Sequence, residues 1–298
     1  MAEQKPSPSN KQHLERLLTE WSKSEGITVA RLRHLIGISV IAQMLDGLPD
    51  DNGRHRIVFK GGSALIMRFG MNARATKDLD AAFRGELDEA VRLIQGKAIT
   101  GWHGFTGRVT DAQPIEKART SPSPLRFKIK LSYLEKDFMT VPFEISSEEA
   151  TSLRDPEVIS LAISLEPVKL KEPDVVAFLP LRFQIAQKLH ACTEASSEDH
   201  ANDRARDLAD LMLIEELGVS TIELPEIKSA CIEIFATRAA QPWPPIIRKF
   251  PGWNALWGNL QQTEGLSISL EEAIDTVNSF VSRINTAHSY FPQLNRAL

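Results

Sequence analysis

"FKGGSALIMRFGMNARATKDLDAAF", residues 59–83, is the stretch on which the reading of this chain turns. The apolar run "RIVF" leads into Gly61 and Gly62, "SALIMRF" has the spacing of a short helix, and "KDLDAAF" reads as a second strand. In an extended segment side chains alternate faces, so Asp78 and Asp80 point one way while Leu79 points into the core. Two like charges then share one surface. A divalent cation is one remedy, because hard carboxylate oxygens suit Mg2+ or Mn2+ bound together with a substrate phosphate. A solvated strand edge is the other reading of an Asp-x-Asp. The glycines permit close backbone approach at a helix start, where N–H groups face an anion such as a triphosphate. Ser63 reads as the cap of that helix or as a phosphate ligand. Lys60, Arg68, Arg74 and Lys77 read as charges near the phosphates or as solvated surface residues.

Outward from this segment, helical periodicity recurs in "KQHLERLLTEWSK", "TVARLRHLIGISVIAQML" and "LDEAVRLIQ". Strand-like runs follow at "GWHGFTGRV", "LRFKIKLSYL", "FMTVPFEIS" and "ISLAISLEPVKL". Beyond Leu179 the pattern is helical again, with a Trp/Pro-rich "QPWPPIIRKFPGWNALWGN" before the last helix. The expected organisation is an N-terminal helical segment over 1–50, an α+β core over 51–175 and a helical region over 176–298.

A chain of 298 residues with 42% hydrophobic content is long enough to bury a sizeable core. Thirty-five basic against 39 acidic residues give a net charge of -4, so no global positive field announces a nucleic-acid partner, although a local basic groove stays open. Cys192 and Cys231 are too few for a disulfide framework or a cysteine zinc site and fit a reducing compartment. The start lacks the apolar core of a signal peptide, and no stretch has the ~18 apolar residues of a membrane span. The expectation is a soluble, cytoplasmic protein with no membrane partner.

Two further segments carry candidate chemistry. In "TVPFEISSEE" alternation puts Val141, Phe143 and Ile145 on one face and Pro142, Glu144 and Ser146 on the other. Glu144 therefore lies off the core face, where an exposed strand glutamate is the simpler reading. In "RFKIK" Arg126, Lys128 and Lys130 share a strand face opposite Phe127 and Ile129. With Arg119 they are candidate RNA contacts, and a solvated strand face is the simpler reading.

Gly61, Gly62 and Ser63 followed by Arg74, Thr76, Asp78 and Asp80 resemble the nucleotidyltransferase signature in the variant of the AbiEii/AbiGii toxin family, which includes the MenT-like toxins. A second block of that family, a helical lysine followed by a basic-Asp-x-x-Asp segment, is similar to Lys188 with Arg206, Asp207 and Asp210 in "RARDLAD". The resemblance covers about residues 55 to 215. It implies a mixed sheet flanked by helices and transfer of a nucleoside monophosphate from an NTP to an acceptor hydroxyl. Asp78 and Asp80 would hold the metals, with Glu144 the candidate third carboxylate that nucleotidyltransferases carry on a later strand, for the metal or as a base toward the attacking hydroxyl; Gly62, Ser63 and Lys188 would seat the triphosphate, and Arg74, Thr76 and Arg206 would belong to the nucleotide site. Asp207 and Asp210 lie three apart on one helix face, where Asp207 would position a base or ribose and Asp210 would orient Lys188; an Arg/Asp lattice on a solvated helix is the plain alternative. The acceptor implied is the 3′ end of a tRNA, and the partner a separately encoded antitoxin. A nucleotidyltransferase acting on a small molecule shares these motifs, and a non-catalytic NTP-sensing or partner-binding module shares the fold.

Overall fold

The computed structural model describes residues 7–46, 48–50, 52–115, 122–196, 201–219 and 224–287; Arg119 and the first six residues of the Pro/Ser-rich leader lie outside them. The chain forms two compact units, Met1–Pro180 and Leu181–Leu298.

In the first unit, α1 (Lys11–Glu25) starts at Asn10, whose side chain accepts from the His13 N–H at 2.8 Å, and stops at Gly26 in the left-handed region. Helix α2 (Val29–Leu45) is capped by Thr28 and buries residues on every side, from Leu32 through Ile38 to Leu45, so it is an interior helix. It packs against α4 (Leu87–Thr100) and the sheet. Helix α3 (Gly61–Phe69), the short helix of the glycine segment, packs against strands Ile57–Lys60 and Leu79–Phe83 of that sheet.

The sheet has eight strands: β1 (Ile57–Lys60), β2 (Leu79–Phe83), β3 (Phe105–Val109), β4 (Gln113–Pro114), β5 (Leu125–Tyr133), β6 (Lys136–Ser147), β7 (Glu157–Ser160) and β8 (Val175–Phe178). Their order is β3-β5-β6-β2-β1-β8-β7, with β4 paired to β5. β2 runs parallel to β6 and β1 to β8, while the remaining pairs are antiparallel. Phe127, Ile129, Leu131, Val141, Phe143 and Ile145 fill the buried face of the central hairpin, and Arg126, Lys128 and Lys130 alternate with them into solvent. This mixed sheet flanked by helices, followed by a helical region, is the expected fold class.

The second unit is helical: α5 (Leu181–Thr193), α6 (Ala205–Gly218), α7 (Leu224–Arg238), α8 (Trp253–Glu264) and α9 (Leu270–Thr286). Helix α5 packs on α6 and α7, and α9 packs on α6, α7 and α8. Capping is clearest at α9, where Ser269 and Glu272 bond each other's backbone N–H groups in a capping box.

Three segments differ from their sequence expectation. "ISLAISLEPVKL" is strand only to Ser160; its later apolar residues, Leu165 and Val168, are buried at a 3-10 turn over Glu166–Val168 that holds Pro167. Burial alone produced the alternation there. The four-residue β8 is too short to show a period of its own. In the Trp/Pro-rich stretch, Gly252 in the left-handed region ends the proline run and releases α8, which buries Trp253 and Trp257. Trp253 donates its indole N–H to the Asn202 carbonyl at 2.8 Å. Trp253→Ala is expected to lower unfolding stability by about 3–5 kcal/mol, as for other fully buried aromatics, and Trp253→Phe by about 1 kcal/mol for the lost hydrogen bond. Urea denaturation of both variants checks the order.

Candidate active site

Strand register gathers the charged residues of the first unit into one row. Lys60 faces Asp80 across β1 and β2, Asp80 faces Glu144 across β2 and β6, and Glu144 faces Arg126 across β6 and β5. Directly paired residues project from the same side of a sheet, so the row reads cation, carboxylate, carboxylate, cation. Arg126 donates from Nε to Glu144 Oε1 at 2.8 Å and from Nη2 to the same oxygen. Lys60 Nζ donates to Ser146 Oγ at 2.7 Å, two residues beyond Glu144 on the same strand face. The bond and charge of Glu144, and after them the charges of Asp78 and Asp80, push the Arg126 guanidinium further above its ordinary value. Three carboxylates thus act on a single guanidinium.

The glycine turn fits beneath this row. Gly61 has φ +68, and a Cβ there would lie 2.4 Å from Asp80 Oδ2, so only glycine leaves room for that carboxylate. A Cβ on Gly62 would lie 3.4 Å from both Arg74 Nη2 and Thr76 Oγ1. The Arg74–Thr76 loop therefore folds back over the start of α3. That helix begins at Gly61 with Lys60 in the cap position and no side-chain cap bond, so Ser63 is not its cap. Ser63 is fully buried; its hydroxyl accepts from the Asp80 N–H at 3.1 Å and donates to the Lys60 carbonyl at 3.2 Å. It ties the end of β1 to the start of β2. Asp78 precedes β2, with Leu79 fully buried between the two half-exposed aspartates. Arg68 pairs with Glu157 at 2.6 Å and lies over the Phe178 ring, while Lys77 is exposed.

Asp78, Asp80 and Glu144 offer hard oxygens, the donor chemistry that Mg2+ and Mn2+ require. Among the described residues no three Asp, Glu, His or Cys side chains stand close enough to hold a metal as a ready-made group. The donor set fits in kind, and the Arg126 guanidinium is the cation on its third member.

In the second unit, Lys188 Nζ on α5 donates to Asp207 Oδ1 at 2.8 Å and to Asp210 Oδ2 at 2.6 Å, both on α6. All three residues are buried. The helical spacing that puts Asp207 and Asp210 on one face aims both at one ammonium, leaving one net negative charge. Arg206, on the first turn of the same helix, is exposed. Cys192, one turn after Lys188, is fully buried, and that burial pushes its thiol well up. Neither it nor Cys231, whose thiol burial likewise raises, has the exposed thiolate of a reactive cysteine. His190 is buried edge-on against Phe235.

Sequence reasoning placed Arg126 in a basic stripe and did not connect it with Glu144. It also missed Arg108, which is exposed on β3 and faces Lys130. The Arg126–Glu144 contact is set by the β5–β6 hairpin, whose turn residues Leu134 and Glu135 take positive φ without a glycine or asparagine to announce it, and Arg108 is placed by the β3–β5 register.

A mixed sheet with an Asp-x-Asp strand emerging beside a glycine turn and a short helix is the architecture expected of a nucleotidyltransferase. Residues 43–277, well over half of the chain, match the family described as nucleotidyl transferase AbiEii toxin of type IV toxin–antitoxin systems, and the chain belongs to that family. Among solved structures, the chain is similar to the MenT4 nucleotidyltransferase toxin from Mycobacterium tuberculosis H37Rv, with 15% identity and a TM-score of 0.49 over 85% of this chain and 91% of that one. No curated protein matches by sequence.

Removing Asp210, with a side chain only 2% exposed, leaves the Lys188 ammonium balanced by Asp207 but without one of its two short carboxylate bonds. Asp210→Ala is expected to cost about 1.5–3 kcal/mol of stability, the range for a hydrogen bond to a charged group. Asp207→Ala is expected to cost less, its side chain being 11% exposed. Equal losses under about 1 kcal/mol in urea denaturation would mean that the triad behaves as a surface pair.

Proposed function

We propose that this chain transfers a nucleoside monophosphate from an NTP to an acceptor hydroxyl, with pyrophosphate leaving, and that the acceptor is the 3′ end of a tRNA. In this reading it is the toxin of a pair and is neutralised by a cognate antitoxin protein. The observation that carries the reading is the register of Asp80 with Glu144, with the Asp80 carboxylate above Gly61 at the start of α3. A divalent ion, Mg2+ or Mn2+, would neutralise charge building on the attacking and leaving oxygens of an in-line displacement. Asp78, Asp80 and Glu144 are the residues that would hold it.

The chain's own groups supply position and charge. Gly61 leaves space for Asp80 and, with Gly62, keeps the backbone N–H groups of the first turn of α3 open to a phosphate. Buried Ser63 holds Asp80 in line from behind, so its contribution to the triphosphate is through the backbone and the strand it fixes. Arg74 and Thr76, folded over Gly62, would contact the same phosphate. By the family resemblance Lys188 would be an ammonium for a nucleotide phosphate oxygen, reached by loosening a bond to a carboxylate. Asp207, the less buried of the two, is the partner that would yield, becoming free to accept from a ribose or base, while Asp210 keeps Lys188 oriented.

For the acceptor, Lys128, Lys130 and Arg108 are exposed on the face of the sheet that carries Asp80 and Glu144. Their charge suits an RNA backbone, and their small number predicts a shallow salt dependence. The chemistry belongs in the cytoplasm, and no single helix among the described residues is long and apolar enough to cross a membrane.

Asp80→Ala is expected to keep the circular dichroism of the wild type and lose transfer of labelled NMP by several orders of magnitude; near-normal turnover by the folded variant would remove the metal role. Lys128→Glu/Lys130→Glu is expected to lose transfer to tRNA and retain NTP binding. Transfer to tRNA at wild-type efficiency in that variant would place the acceptor elsewhere, and labelling of a small-molecule panel in preference to RNA would replace the acceptor class.

A further inference from the structure

We propose that Arg126 is a positioning residue that couples metal loading to phosphate binding. Its guanidinium holds Glu144 while no metal is bound, and passes to a substrate phosphate when a divalent cation takes that carboxylate. The inference rests on the reading of Asp78, Asp80 and Glu144 as a metal site.

The charges in the row allow an exchange of this kind. Asp80 and Glu144 are side by side on parallel strands, an arrangement in which two carboxylates repel. Lys60 reaches Ser146 on one side, and Arg126 bonds Glu144 on the other. A dication drawn to Asp80 and Glu144 would meet the guanidinium at the same carboxylate, where two cations repel and the doubly charged one binds more strongly.

Arg126 is built to leave. Its side chain is 60% exposed and Glu144 is 24% exposed, so the pair is a solvent-facing one and is held weakly. Both of its bonds go to one oxygen, Oε1, rather than forming the two-oxygen fork in which arginine grips a carboxylate best. Lys188, held by two carboxylates in a buried setting, lacks that solvent exposure.

Where the arm goes follows from its strand. Lys128 and Lys130 continue from Arg126 along β5, and Arg108 faces Lys130, so a released guanidinium joins a file of cations on one face. A planar five-donor group freed beside a metal-bound anion is suited to a phosphate, which it can take through two oxygens. That phosphate belongs to the NTP or to the terminal nucleotide of the acceptor, and the two sources are separable.

The test uses the full chain and reads binding. Mn2+ affinity is measured by electron paramagnetic resonance in wild type, Arg126→Gln, Glu144→Gln and the double variant, without nucleotide. Binding of a non-hydrolysable NTP analogue and of a tRNA acceptor-stem oligomer is then measured with Mn2+ saturating. Arg126→Gln is expected to raise Mn2+ affinity on the order of tenfold, because a competing charge is removed. That gain should vanish in the Glu144→Gln background, where the pair no longer exists. The same variant is expected to weaken one of the two phosphate ligands severalfold, and the arm that weakens names the phosphate. Such opposite movement of metal and phosphate affinity is not produced by a residue that only supports the sheet. Arg126→Lys, which keeps the charge and loses the fork, should leave Mn2+ affinity near wild type and still weaken the phosphate ligand; it serves as the comparison if Arg126→Gln folds poorly. Wild-type Mn2+ binding with no gain in Arg126→Gln overturns the inference alone, as does undiminished binding of both phosphate ligands. Failure of every variant to bind Mn2+ removes the metal site and this inference together.

Discussion

Two carboxylates held side by side on neighbouring parallel strands are the constraint to which the rest of the first unit answers. Asp80 and Glu144 face each other because β2 and β6 pair in that register, and the repulsion between them is unfavourable unless cations stand nearby. Lys60 and Arg126 supply those cations from the flanking strands. The glycine turn answers to the same constraint, since any side chain at Gly61 would occupy the space of the Asp80 carboxylate. Ser63 holds the backbone of Asp80 from the buried side through a single hydroxyl that both donates and accepts. A fold seeking stability alone would place neither carboxylate there, and locally unfavourable chemistry of this kind is characteristic of functional sites.

The two units manage charge in opposite ways. In the first, the Arg126–Glu144 pair faces solvent, so its bond is weak and open to replacement by an incoming ion or ligand. In the second, Lys188, Asp207 and Asp210 are buried, and taking them out of water costs more than a hydrophobic cluster of equal size would. What the buried arrangement provides is orientation: Lys188 has two acceptors at short range. Elsewhere among the described residues of this unit, large side chains make polar contacts with backbone carbonyls, such as Trp253 to Asn202 and Trp257 to Ile268.

Periodicity in the sequence was sufficient for the long helices and for β5 and β6, because each repeats its pattern over enough residues to be distinct. It failed for β8, with four residues, and for the segment after Ser160, where buried residues alternate around a turn. It gave no helix for α8, whose start depends on a glycine in the left-handed region at the end of a proline-rich run. Ser63 reads from sequence as a helix cap or a phosphate ligand; it is not the cap, because the helix starts earlier and the hydroxyl bonds the strand ends. The difference has a simple cause: capping depends on where the backbone leaves extended geometry, and glycine can do so at either of two positions.

Taken by itself, the sequence determined which residue types recur at which spacing: the Gly-Gly-Ser turn, the Asp-x-Asp strand, the alternation of "RFKIK" and of "TVPFEIS", and the helical face shared by Asp207 and Asp210. These are local properties, dictated by the two-residue period of a strand and the turn of a helix. Only the tertiary structure decided that Asp80 meets Glu144, that Glu144 meets Arg126 rather than open solvent, and that both second-unit aspartates converge on Lys188. Those partners lie 18 to 64 residues apart or on different helices, and their meeting depends on strand order and register. No local pattern specifies either, because a strand's alternation says which face a side chain takes and nothing about which neighbour lies beside it.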